Sequence, residues 1–263
     1  MDNSANPGAD ISIGDGVMIK TLSGTSKLLQ IPPGRWQIPS LVIPPGVRLV
    51  GSGRAETILE YAGDPDLWAI TFAGESAVDL GSGGGLSHLT LMVKTPGASG
   101  VRLLNSRSIL LYDLTVSGGP SGRCDGKTGI SIEGGGVGSA FNYLSHFYVQ
   151  RFSEAGVNID GGINHWANRN TIGSGHALGC GVGLRLAECG TNYIQMAVQN
   201  CGTGVELGNG ARYNELQIME ENSRDYSVLC TTTAFKNRLR GHVVMDGVRD
   251  DGVKNLFDII GNV

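Results

Sequence analysis

From residue 129 onward the chain repeats itself, and no other feature constrains its fold as tightly. "GISIE" at Gly129, "GVNID" at Gly156, "GLRLA" at Gly183, "GVELG" at Gly204 and "DYSVL" at Asp225 follow one another at intervals of 27, 27, 21 and 21 residues. A second series runs between them and opens each time on asparagine: "NYLSHFYV" at Asn142, "NTIGSGHAL" at Asn170, "NYIQMAVQN" at Asn192, "NELQIMEEN" at Asn214 and "NRLRGHVVM" at Asn237. Each unit therefore holds a short alternating strand, a variable turn, an asparagine, and a second stretch with an aliphatic residue two places on (Leu144, Ile172, Ile194, Leu216, Leu239). A unit this short cannot bury its apolar face alone. Strand periodicity without helical periodicity makes the stacked solution an all-β parallel solenoid. Stacking also aligns equivalent residues. Asn170, Asn192 and Asn214 are predicted to pair their amides as a ladder at a tight turn, where asparagine tolerates left-handed backbone. Cys180, Cys201 and Ser223 share nearly the same phase and are predicted to face inward as a small-residue stack.

Composition narrows the function. The 263 residues include 42 glycines, without the every-third period of collagen. A charged share of 17% and a hydrophobic share of 40% exclude a disordered chain. With a net charge of −4 there is no basic footprint, and nucleic acid is not an expected partner. No apolar run reaches the roughly 18 residues that span a bilayer, so no membrane association is expected. The opening "MDNSANPGAD" has neither a basic n-region nor an apolar stretch, and no signal peptide is visible. The five cysteines are an odd number without a CxxC pair, which argues against a disulfide framework or a zinc site. No metal or cofactor is expected.

Upstream, "IPPGRWQIPSLVIPPGVRLVGSGRAETILEY", residues 31–61, resembles the first coils of the pectate-lyase-like right-handed parallel β-helix superfamily. Members open with "PPG-x-W/Y-x-I", followed by "h-P-x-G-V-x-L-x-G-x-G-x-x-T-h-L", where h is apolar. The resemblance implies a single right-handed β-helix over residues 31–258, after an N-terminal segment or cap (1–30) and before a short tail (259–263). Two features depart from the family. Residues 11–30, "ISIGDGVMIKTLSGTSKLLQ", lack the usual alanine-rich amphipathic capping helix, and "VKNLFDIIGNV" stops after another apolar stretch, without a polar cap. Phage tailspikes and tail-associated depolymerases share this opening with secreted polysaccharide lyases and hydrolases. The resemblance thus implies a polysaccharide or host-surface glycan as partner and a location in the virion tail or outside the cell. By analogy with tailspikes it also implies a homotrimer. One fold hosts many activities, so it implies fold more specifically than function.

The outer face offers candidate chemistry. In each strand the aliphatic pair points inward, leaving the second and fourth places after the opening residue to point outward. The second places read Ser131, Asn158, Arg185, Glu206, Ser227, and the fourth read Glu133, Asp160, Ala187, Gly208, Leu229. Coils in a parallel sheet lie about 4.8 Å apart. Glu133 and Asp160 are therefore predicted to sit one above the other. Stacked carboxylates repel and separate acid from base roles, and retaining glycosidases hold theirs about 5–5.5 Å apart. Glu133, Asp160 and Glu206 are the candidate catalytic carboxylates, with His165 as a candidate proton carrier. The two upper coils are six residues longer than those below, and the extra length falls beside the carboxylates, in "GGGVGSAF" and "GGINHWANR". The loop "GGPSGRCDGKTG", residues 118–129, enters from the other side. Trp166 offers a flat face to a sugar ring. Asn158, Arg169 and Arg185 are further candidate substrate contacts, an arginine being suited to hold a sugar carboxylate or neutralise an enolate. The same residues admit a plainer role, with Glu133 and Asp160 paired to Arg185 on a solvated face and Trp166 packed over a loop.

Other fragments carry less. "SGHALGCG" at 174–181 resembles the Gly-His-Gly segment of polygalacturonase-like hydrolases. The paired aspartates and the Arg-Ile-Lys segment of those enzymes are missing, which leaves His176 structural. "GSGRAET" at 51–57 precedes no helix signal and reads as a turn. His88, His146 and His242 lack metal-ligand spacing. Three readings stay open: a polysaccharide hydrolase or lyase of tailspike type, a non-catalytic receptor-binding shaft of a tail fibre, and a secreted bacterial polysaccharide lyase.

Overall fold

Alternation builds the molecule. Ile130 and Ile132 of "GISIE" are buried while Glu133 stays outside, and Val157 with Ile159, Leu184 with Leu186, and Val205 with Leu207 repeat the arrangement. In the computed structural model these strands stack in register within a nine-stranded parallel sheet. The structure describes residues 11–13, 17–19, 27–74, 83–119, 125–163, 165–243 and 247–260. Most of the expected N-terminal segment 1–30, the loop residues 120–124 with Cys124, and residues 261–263 lie outside the described residues. Each coil crosses the nine-stranded sheet, turns, from Asn142 onward at an asparagine, and continues as a strand of a twelve-stranded sheet. The winding is right-handed, and there is no α-helix among the described residues. Ile11–Ile13 instead pairs antiparallel with Val17–Ile19.

The core is a set of columns. Leu49, Leu86, Leu111, Leu144, Ile172, Ile194, Leu216 and Leu239 are stacked partners on successive coils, all buried. Each contributes about 1.5–3 kcal/mol by leaving water. The opening glycines exist because the two sheets converge there. A Cβ on Gly129 would lie 2.3 Å from Val149 Cγ1, and one on Gly183 would lie 2.2 Å from Val198 Cγ1. The fifth unit corrects the expected frame. Val205 pairs with Val228 and Glu206 with Leu229, so Ser227 takes the opening place and Leu229, not Ser227, continues the outward column. Serine is small enough for that crowded corner, where it is 3% exposed.

The asparagine column is longer than the three residues singled out. The amide Nδ2 of Asn142 donates to Asn170 Oδ1 at 3.0 Å, and the pattern continues through Asn192, Asn214, Asn237 and Asn255 at 2.9–3.1 Å. The left-handed backbone does not fall on the asparagines. It falls one residue earlier, on Phe141, Arg169, Thr191, Tyr213, Lys236 and Lys254, with φ between 53° and 56°. The asparagine is freed from turning the chain and serves as the rung. Gly202 N donates to Cys180 O and Arg224 N to Cys201 O, which places Cys180, Cys201 and Ser223 in one column.

Candidate functional site

The strands Ser99–Leu104, Gly126–Glu133, Phe152–Asp160 and Val182–Ala187 set two outward columns side by side. Arg102, Ser131, Asn158, Arg185 and Glu206 form one, and Leu104, Glu133, Asp160 and Ala187 the other. Glu133 therefore lies directly against Asp160, one coil apart.

The ion pairs differ from the simplest sequence reading. Glu133 Oε2 accepts from Arg102 Nε at 2.8 Å, while Arg185 Nε turns to Glu206 Oε2 at 3.2 Å. Asp160 Oδ1 accepts from the backbone N–H of Gly162 at 2.8 Å, and no cation pairs with Asp160 among the described residues. Asn158 Nδ2 donates to Ser131 Oγ at 3.0 Å. The second oxygens, Glu133 Oε1 and Asp160 Oδ2, have no hydrogen-bond partner among the described residues.

Around these side chains lies an open polar cavity of about 330 Å³. Glu133, Asp160, Asn158 and Arg185 line it together with Asp66, Trp68, Lys127 and Glu154. Its aromatic wall is Trp68, whose ring centre lies 5.9 Å from the Arg102 guanidinium carbon. Trp166 lies elsewhere, with its indole over Gly138, where a Cβ would come within 2.3 Å of the ring. The backbone N of His165 donates to Gly162 O at 3.2 Å and helps to close that turn. Arg169 faces the asparagine corner, 5.8 Å from the Phe141 ring centre. Of the eight singled-out residues, the structure brings Glu133, Asp160, Asn158 and Arg185 into the cavity and leaves Glu206, His165, Trp166 and Arg169 outside its lining. The residues missed were Trp68, Asp66, Arg102, Lys127 and Glu154. Extending the register upstream through "VRLL" to "AITF" would have found Arg102 and brought Trp68 into view.

The other four histidines belong to the twelve-stranded sheet. His88, Asp113 and His146 stack where its long strands bend, with φ of 56°, 51° and 54°. His88 Nδ1 lies 2.8 Å from Asp113 Oδ2, and Arg54 Nε 2.9 Å from Oδ1 of the same carboxylate. His176 packs edge-on against Tyr148, with ring centres 4.9 Å apart. Burial pushes its pKa below the ordinary histidine value, against the opposing pull of Gln199 and Glu221. Among the described residues no group of three or more His, Cys, Asp or Glu is placed to hold a metal ion.

No protein-family model matches the chain, and no curated protein matches it. Solved structures do. ORF18 of Geobacillus virus E2 superposes with a TM-score of 0.56 at 16% identity, covering 96% of this chain and 56% of that one. The chain has the right-handed parallel β-helix fold. The A-module of the Azotobacter vinelandii mannuronan C-5 epimerase AlgE4 also matches, with a TM-score of 0.31 at 12% identity, covering 90% of each chain. So does the catalytic domain of a GH87 α-1,3-glucanase, with a TM-score of 0.31 at 11% identity, covering 90% of this chain and 62% of that one. At such identities the likeness is one of fold. This β-helix spans little more than half of the phage protein it matches.

Proposed function

We propose that this β-helix binds a polysaccharide along the outer face of its nine-stranded sheet and cleaves it, as a hydrolase or lyase of phage tailspike type. The observation that carries the reading is the pair Glu133 and Asp160, in register on adjacent coils inside one polar cavity. Two carboxylates about one coil spacing apart have the separation used in retaining glycoside hydrolysis. Glu133, held in place by Arg102, is positioned as the nucleophile or base, and Asp160, anchored through Oδ1 on Gly162 N–H, presents Oδ2 for proton transfer. Trp68 supplies a stacking face, and Asn158 and Arg185 supply polar contacts. His165, Trp166 and Arg169 lie beyond the cavity and would meet only a longer glycan.

Incubation with capsular and cell-wall glycans should release new reducing ends if the enzyme is a hydrolase, or 4,5-unsaturated ends if it is a lyase. Glu133→Gln or Asp160→Asn should lower turnover by about 10²-fold or more, the scale of acid–base contributions. The melting temperature should stay near wild type, since both side chains point outward. Trp68→Ala should raise KM more than it lowers kcat. Full turnover in both carboxylate variants would sink the assignment.

A second reading, the non-catalytic receptor-binding shaft, draws on the charge pairs themselves. Arg102 with Glu133 and Arg185 with Glu206 satisfy one another without a substrate. Glycan binding with no new chain ends would select it. The homotrimer and the virion or extracellular location belong to the tailspike reading, and sedimentation of the purified chain tests the former.

A further inference from the structure

The corner that carries the asparagines has an outer side whose chemistry differs from the rest of the molecule. Its backbone aligns coil by coil, through the pairings Arg107–Ala140, Ala140–Asn168, Asn168–Gly190, Gly190–Arg212, Arg212–Phe235 and Phe235–Val253. The side chains beside the buried asparagines therefore form columns parallel to the helix axis. Their cations are Arg107, Arg169, Arg212, Lys236, Arg238 and Lys254, all exposed. Glu215 is the only acid in the same columns. None of the six cations is in a salt bridge among the described residues, whereas Arg35, Arg102 and Arg185 on other faces each pair with a glutamate. A protein with 20 Lys and Arg against 24 Asp and Glu thus concentrates unpaired positive charge on one edge.

The same edge exposes aromatic rings. Phe141, Tyr143, Tyr193 and Tyr213 are 43%, 44%, 45% and 48% exposed. Arg107 and Arg169 approach the Phe141 ring at 4.7 and 5.8 Å, and Lys236 lies 5.3 Å from the centre of the Tyr213 ring. Tyr143, Thr171 and Tyr193 occupy one column on consecutive coils, so the two tyrosines stand two coil spacings apart, about 10 Å. Flat faces at this repeat, flanked by cations, match an extended polymer of ring-shaped units carrying negative charge.

We propose that this basic aromatic edge is a second binding site, separate from the cavity of Glu133 and Asp160, for a linear anionic polysaccharide. The chain would lie along the helix axis, stacking sugar rings on Tyr143 and Tyr193 and placing its carboxylate or sulfate groups against the arginines. A pyranose in an extended chain advances by roughly one coil, so contacts recur from coil to coil. The net charge of −4 on the whole protein disfavours a nucleic-acid backbone as the occupant.

The test uses the full chain carrying Asp160→Asn and Trp68→Ala, so that the cavity contributes little. Binding of polygalacturonate, dextran sulfate, neutral dextran and oligo-dT is measured by calorimetry at low and high salt. The edge predicts binding of at least one of the two polyanionic glycans, no binding of dextran, and weakening with salt. It also predicts at least a tenfold loss of affinity in Arg107→Gln/Arg169→Gln and, independently, in Tyr143→Ala/Tyr193→Ala. The assignment is overturned if neither polyanion binds, if both edge variants bind like their parent, or if oligo-dT binds as tightly as the better glycan. It is likewise overturned if the edge variants lose self-association alone, which would make the edge a contact between copies. Wild-type turnover with a failed edge leaves the cavity standing, and edge binding without turnover leaves the edge standing.

Discussion

At the scale of single residues, the most exacting position is Asn192. Its Oδ1 accepts from Asn170 N at 2.9 Å and Asn170 Nδ2 at 3.1 Å, and its Nδ2 donates to Ala167 O at 3.0 Å and Asn214 Oδ1 at 2.9 Å. Asn192→Ala strands buried donors of Asn170 and should cost about 1–3 kcal/mol. An unshifted denaturation midpoint would show that the column bears no such weight. Two titrating groups shape the acid limb of stability. Glu60 is held below the usual carboxylate range by its bond to Lys94, with burial opposing and Arg35 and Gln37 adding to the effect. Its contribution is present above the ordinary glutamate value of about 4.3 and is lost as pH falls through its lower folded value. His176 is shifted downward by burial, so the folded state resists its protonation. That contribution is complete above the ordinary histidine value of about 6.5 and declines as pH falls below it. Melting temperature against pH should therefore fall in two stages. His176→Gln should remove the upper stage, and Glu60→Gln the lower.

Among strands and turns, close approach decides what a substitution costs. Gly183→Ala puts a Cβ 2.2 Å from Val198 Cγ1 and should destabilise by about 1–3 kcal/mol, whereas Gly136→Ala meets nothing within 4 Å and should be neutral. Urea midpoints of the two variants should differ accordingly. The repeating half of the fold was legible because each coil reuses the same residue types at the same corners. "GISIE" over "GVNID" over "GLRLA" places Glu133 on Asp160 with no structure needed. Legibility failed where a corner changed its residue. Ser227 stands where glycine stood in the coils above, and this shifted the expected frame by two. It failed again upstream, where the strands were read as looser coils: Arg102 follows Gly100 onto the column of Ser131 and Asn158, and Trp68 pairs with Ser99, ahead of the alternating part of its strand. The bend at His88, Asp113 and His146 was invisible for another reason. None of the three is the glycine that a left-handed φ usually advertises.

Across the whole molecule, contacts run between neighbouring coils, so stability accumulates coil by coil, as in other solenoids. Charge differs between faces: Arg35, Arg102 and Arg185 on the sheets pair with glutamates, whereas the six cations along the asparagine corner lie in no salt bridge among the described residues. The asparagine column adds a property that no single coil has. Backbone N–H groups in a parallel sheet point up and down the axis in turn and largely cancel. In each of the five links one Nδ2–H points forward, from Asn142 toward Asn255, and every accepting Oδ1 faces back, while a second Nδ2–H, as in Asn192, returns to a backbone carbonyl of the preceding coil. The dipoles of the links add, leaving the oxygen-rich negative pole at Asn142 and the positive pole at Asn255. The poles are matched by what meets them. Asn142 Oδ1 receives the N–H of Ile109 at 3.0 Å, and Asn255 Nδ2 ends on the Asp250 carboxylate at 3.0 Å. An acid thus terminates the positive end of this row as acids do at the start of an α-helix. The interior of an all-β rod thereby acquires a direction, and each amide strengthens the next by polarising it.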